Sequence, residues 1–168
     1  MLFFPRLQWC AFEAAVKKVL IVCIGNQLVA DDGIGQVIYQ ELCHQEIGTG
    51  VRLLFLGLGG IDLIEELQGE DLLVVVDGVQ LGGKVGDVVE LEWDQLPVAQ
   101  GRPVSGHGIG LRDAIDVTRT LYSGRCPARV VLVGVEGGCF DRLGVGLSDE
   151  VLVAIPKAVD LIVDLASR

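Results

Sequence analysis

Three segments of this chain are nearly unbroken apolar runs rich in β-branched residues: VLIVCI at 19–24, DLLVVVD at 71–77 and RVVLVGVE at 129–136. A strand with one wet face alternates apolar and polar residues. Runs without alternation are buried on both faces, which is the condition of parallel strands covered by helices. Helical spacing fills the intervals: GIGQVIYQELC (33–43), IDLIEELQ (61–68), LRDAIDVTRTLY (111–122) and SDEVLVAIPKAVDLIVDLA (148–166). In the last of these Ser148 is the expected N-cap, and Pro156 is expected to kink the helix or split it. VRLLFL (51–56) reads as another strand. DVVELEW (87–93), reached through the glycine-rich turn QLGGKVG, reads as an antiparallel strand at an edge. The alternation predicts an α/β fold, a three-layer sandwich with a twisted, mostly parallel sheet of about five strands flanked by helices.

The 168 residues suffice for one domain, placed at 18–168, preceded by an irregular N-terminal extension, 1–17, that is expected to be poorly ordered. That extension has neither the cationic start nor the apolar stretch of a signal peptide. No apolar run reaches the ~20 residues of a membrane helix, so the 51% hydrophobic content is assigned to buried strands. The net charge of −10 repels nucleic acid and anionic lipid, so neither is expected as a partner. Five cysteines, odd in number and without C-x-x-C spacing, read as reduced, mostly buried thiols of a cytoplasmic protein.

Ligands of open parallel sheets bind beyond the carboxyl ends of the strands. Asp31 and Asp32 follow the first strand, Asp77 ends the third, Glu136 ends the last, and His107 lies in RPVSGHGIG ahead of a helix. Asp32, Asp77 and His107 make two carboxylates and an imidazole, donors that suit a divalent metal such as zinc or nickel with positions left open. Gly25 and Gly33 are expected to permit a tight turn, and Gly106 and Gly108 to leave His107 on a mobile loop. Each group also has a plain structural use. An Asp at a helix start most often caps it, and Asp77 can hold a neighbouring loop. His44 and the run Asp87, Glu90, Glu92 and Asp94 read as solvated surface. The glycine spacing departs from the dinucleotide fingerprint, no P-loop lysine is present, and no G-x-S-x-G elbow surrounds a serine.

GNQLVADDGIG (25–35), LLVVVDGV (72–79), SGHGIGL (105–111) and VLVGVE (131–136) follow one another as in the hydrogenase maturation proteases, which this chain resembles from about Lys18 onward. The resemblance implies an endopeptidase that removes the C-terminal extension of a [NiFe]-hydrogenase large-subunit precursor after nickel insertion. It implies Asp32, Asp77 and His107 as the metal-touching residues, and Asp31, Asp32 and Asp77 as the catalytic carboxylates. The nickel is recognised in the substrate, or another divalent metal binds at the same site. Many members carry Asp-Gly-Gly-Thr after the second strand, where this chain has FLGLGG (55–60) with Leu58 and no Asp. That departure supports a different reading, a non-catalytic nickel-checking chaperone of the same fold.

Overall fold

The computed structural model describes residues 16–58, 62–95 and 108–168. Most of the N-terminal extension, Cys10, part of the FLGLGG loop, Gly106 and His107 lie outside the described residues. Five strands form one sheet: β1 (Val19–Ile24), β2 (Val51–Gly57), β3 (Leu72–Val79), β4 (Val88–Glu92) and β5 (Arg129–Glu136). Their order is β2-β1-β3-β5-β4. The first four in that order are parallel, and β4 pairs antiparallel with β5 at the edge, as its turn-linked, half-polar sequence predicts.

Both faces of the sheet are covered. Val19, Ile21 and Cys23 of β1 with Leu72, Val74 and Val76 of β3 pack against α1 (Ile34–Leu42) and α4 (Asp149–Ser167). The intervening residues, Leu20, Val22, Leu73 and Val75, pack against α2 (Leu63–Glu66) and α3 (Gly108–Leu121). The unbroken apolar runs thus have the cause inferred for them. Each successive residue meets a helix layer on one side or the other.

Two expectations are narrowed. Of the kink or split expected at Pro156, the split does not occur: the helix runs from Asp149 to Ser167 without interruption. The buried positions Val151, Ala154, Ala158, Ile162 and Leu165 form one stripe, and Pro156 lies on the exposed side. Proline removes the amide that would bond the Leu152 carbonyl, and Leu152 lies on the same exposed side, 46% exposed. The helix expected at 61–68 shrinks to a single turn at Leu63–Glu66. Side chains take its last carbonyls instead: Arg125 donates to Glu65 and Leu67 oxygens, and Arg52 to that of Glu66. Arg52 also pairs with the buried Glu70, fastening this turn to β2.

Candidate active site

From β1 the chain passes to β2 on one side, and then to β3 on the other. The crevice at this reversal, beyond the carboxyl ends of β1 and β3, is where doubly wound sheets receive ligands. Cys23 pairs with Val76, so the end of β1 lies level with Asp77. Asp77 is 2% exposed and continues the Leu73, Val75 series, placing it on the α2/α3 side of the sheet. His107, the residue before α3, lies outside the described residues.

The β1–α1 loop is shaped by its own polar groups. The Asn26 side-chain carbonyl accepts the Leu28 N–H at 3.0 Å, an Asx turn. The Asn26 N–H reaches back to Asp32, 3.1 Å from both its backbone carbonyl and its Oδ2. Gly25, at φ +146°, lets the Asp32 carbonyl lie over the backbone; a Cβ there would sit 2.2 Å from that oxygen. The second glycine the loop requires is Gly35, whose Cβ would lie 1.8 Å from the Ile24 carbonyl oxygen. Gly33, expected to make the turn, has ordinary helical dihedrals and room for a methyl group. The tight approach of α1 to β1, not the turn, is what Gly35 of DDGIG serves. Residues 30–33 form a 3-10 turn that contacts β3, so Asp32 and Asp77 stand on adjoining elements.

The adjacent carboxylates are buried but engaged differently. Asp31, 1% exposed, turns toward the β5–α4 loop. Its Oδ2 accepts N–H groups from Gly138 (2.8 Å) and Cys139 (2.9 Å), and its Oδ1 accepts that of Ser148 (2.7 Å). Burial pushes the Asp31 carboxyl up, but the amides of Ser148, Gly138 and Cys139 outweigh it and hold the group below the ordinary carboxylate range. Capping is therefore a correct use of Asp31, on a helix other than the one it precedes. Ser148 is the N-cap residue of α4 by position, its carbonyl accepting the Leu152 N–H, but its side chain makes no capping bond. Asp31 supplies an acceptor there from 117 residues away. The N-cap positions of the 3-10 turn and of α1, Val29 and Gly33, make no side-chain capping bond.

Glu136, 4% exposed, is likewise occupied: it accepts the N–H groups of Leu81, Gly82 and Gly83 and so shapes the β3–β4 turn. A surface cleft of about 330 Å³ opens beside Asp31, lined by Ala30, Cys139, Arg142, Leu147 and Ser148 among others. Ala30, in the same turn, has φ +23°, a conformation an L side chain resists. Among the described residues no three His, Cys, Asp or Glu side chains are grouped to hold a metal. The described cysteines form no disulfide, and of them Cys23 alone is buried, so the expectation of mostly buried thiols is corrected. No described helix is long and apolar enough to cross a membrane.

Comparison with known proteins bears on this site. The sequence model of the hydrogenase maturation protease family matches residues 37–165. The hydrogenase expression/formation protein HupD of Rhodobacter capsulatus is 32% identical over 71% of this chain, and the chain spans 57% of that relative's length. Among solved structures, the hydrogenase maturating endopeptidase HybD from E. coli superposes with a TM-score of 0.76 at 26% identity, over 86% of this chain and 89% of that one. The [NiFe] hydrogenase maturation protease HybD from Thermococcus kodakarensis gives 0.75 at 28% identity, over 89% and 99%. With the five-stranded order and the buried carboxylates beyond β1 and β3, these matches establish that the chain belongs to the hydrogenase maturation protease family.

Proposed function

We propose that this chain is an endopeptidase that removes the C-terminal extension from the large-subunit precursor of a [NiFe] hydrogenase once nickel is in place. The observation that supports the reading is the burial of Asp32 and Asp77. They are two buried carboxylates from separate parts of the sequence, on adjoining elements at the reversal point of the sheet. Keeping two carboxylates out of water costs several kcal/mol each unless a cation or hydrogen bonds compensate. Carboxylate oxygens with an imidazole form a donor set suited to a divalent first-row ion.

In this reading Asp32, Asp77 and His107 contact the nickel of the precursor, which is part of the substrate, and the precursor's own ligands hold the remaining positions. A loaded precursor is then gripped and an empty one is not. The attacking water gives its proton to a carboxylate of the set, general base catalysis of the kind worth about 10²–10⁴-fold. The same oxygen and nitrogen donors also fit another divalent ion held by the protein itself.

The test is intact-mass analysis of precursor incubated with the purified protein, nickel-loaded in one tube and nickel-free in the other. The expected result is loss of a C-terminal peptide only with nickel. Asp77→Asn should abolish processing with the fold intact by circular dichroism, and His107→Ala should weaken the nickel dependence. Both variants cleaving at the wild-type rate would refute the donor set. No mass change in either tube would favour the nickel-checking chaperone.

A further inference from the structure

We propose that Asp31 is a positioning residue: its carboxylate ties the β5–α4 loop to the β1–α1 turn, and through that tie it fixes Asp32. The inference rests on the endopeptidase reading above and assigns Asp31, the carboxylate that precedes Asp32.

The tie is made at several points. Asp31 accepts three backbone N–H groups through its side chain and donates its own N–H to the Cys139 carbonyl at 3.0 Å. Nearby, the Gly144 N–H donates to the Leu28 carbonyl, and Val29 bridges Leu143. The space around Asp31 is cleared by glycines. A Cβ on Gly137 would meet the Asp31 Cβ at 2.9 Å, and one on Gly78 would meet the Asp31 carbonyl oxygen at 3.1 Å. N–H donors sit on both carboxylate oxygens, and all three come from the β5–α4 loop, which suits an anchor. The neighbouring Ala30 holds its resisted φ of +23°, and such a conformation persists only where surrounding contacts over-determine it. The next residue is Asp32, whose carbonyl and Oδ2 receive the Asn26 N–H. A turn released at Asp31 shifts Asp32, and displacement of a reacting group by about 1 Å can cost about 10²-fold in rate.

Two variants cut the tie from opposite ends. Asp31→Asn removes an acceptor. Ser148→Pro leaves the carboxylate intact but removes the N–H it receives, at a residue whose φ of −64° a proline can adopt. Each is compared with wild type for kcat and KM on nickel-loaded precursor, and for amide hydrogen exchange at Asn26, Gly138 and Cys139. Both variants should lower kcat by about 10- to 100-fold with KM within about threefold. Both should raise exchange at least tenfold at Asn26 as well as at Gly138 and Cys139.

Asn26 decides between positioning and a local structural role. If Gly138 and Cys139 open while Asn26 stays protected, the tie does not reach Asp32 and the proposal is overturned. If Ser148→Pro cleaves like wild type while Asp31→Asn does not, Asp31 acts on the substrate directly and the proposal is likewise overturned. If the wild-type protein cleaves nothing, the endopeptidase reading fails, and the exchange data still decide whether Asp31 holds Asp32.

Discussion

Gly35→Ala is the sharpest perturbation this fold offers. An added methyl would lie 1.8 Å from the Ile24 carbonyl oxygen and 2.7 Å from its carbon, where Cβ contacts under 3.0 Å essentially never occur. The obstacle is strand backbone, which cannot rotate aside, so α1 must retreat by about 1 Å or more. Ile34, Ile38 and Leu42 of α1 are fully buried against β1 and β3. Each such side chain contributes about 1.5–3 kcal/mol by burial, and a gap of 0.5–1 Å forfeits about a quarter to a half of its contact energy. The three together lose about 1–4.5 kcal/mol, with about 3 as the central value. With a urea slope of about 2 kcal/mol per molar, the midpoint should fall by about 1.5 M. Cleavage should fall further than the unfolded fraction accounts for, because the displaced helix carries the Asp32 turn with it. The control is Gly124→Ala, where nothing lies within 4 Å of the new methyl; it should be neutral or stabilising by about 0.5 kcal/mol. A Gly35→Ala midpoint within about 0.3 M of wild type would refute the steric argument.

Glu136→Gln removes the charge that receives the Leu81, Gly82 and Gly83 amides and should cost about 2 kcal/mol in chemical denaturation, with faster exchange at those amides. An unchanged unfolding curve would show that the β3–β4 turn holds itself. The acid limb of the stability curve carries a signature of Asp31. Its folded carboxyl titrates below the unfolded value of 3.8, so its contribution is complete above about pH 5 and is lost as pH falls through the unfolded value toward the folded one. The stability difference between wild type and Asp31→Asn, followed by calorimetry, should therefore shrink below pH 4; a constant difference from pH 3 to pH 7 would contradict this sign.

Much of the architecture was legible in the sequence because it depends on nearest neighbours. β1 is apolar throughout, and β3 and β5 are apolar up to the charged residues at or near their ends; strands of that kind have to be covered on both faces, which dictates helices on both sides. The edge placement and antiparallel sense of β4 followed from its polar residues and the short turn before it. The family could be recognised from GNQLVADDGIG, since its Asn and its outer glycines answer to local demands. These are an Asx turn at Asn26, a positive φ at Gly25 and a helix pressed onto a strand at Gly35.

Tertiary structure decided the rest. Periodicity could not show that Pro156 would lie on the exposed side of a helix that continues through it. Nor could it show that arginines distant in the chain would end α2 after one turn. Above all, Asp31 and Asp32 are adjacent and chemically identical, and no local rule separates them. They are separated by partners more than 100 residues away, the amides of Gly138, Cys139 and Ser148, which come within reach of Asp31 only when β5 is laid beside β3 and α4 packs behind the sheet. A carboxylate takes its role from the donors that surround it, and those donors are assembled by the fold, not by the sequence near it.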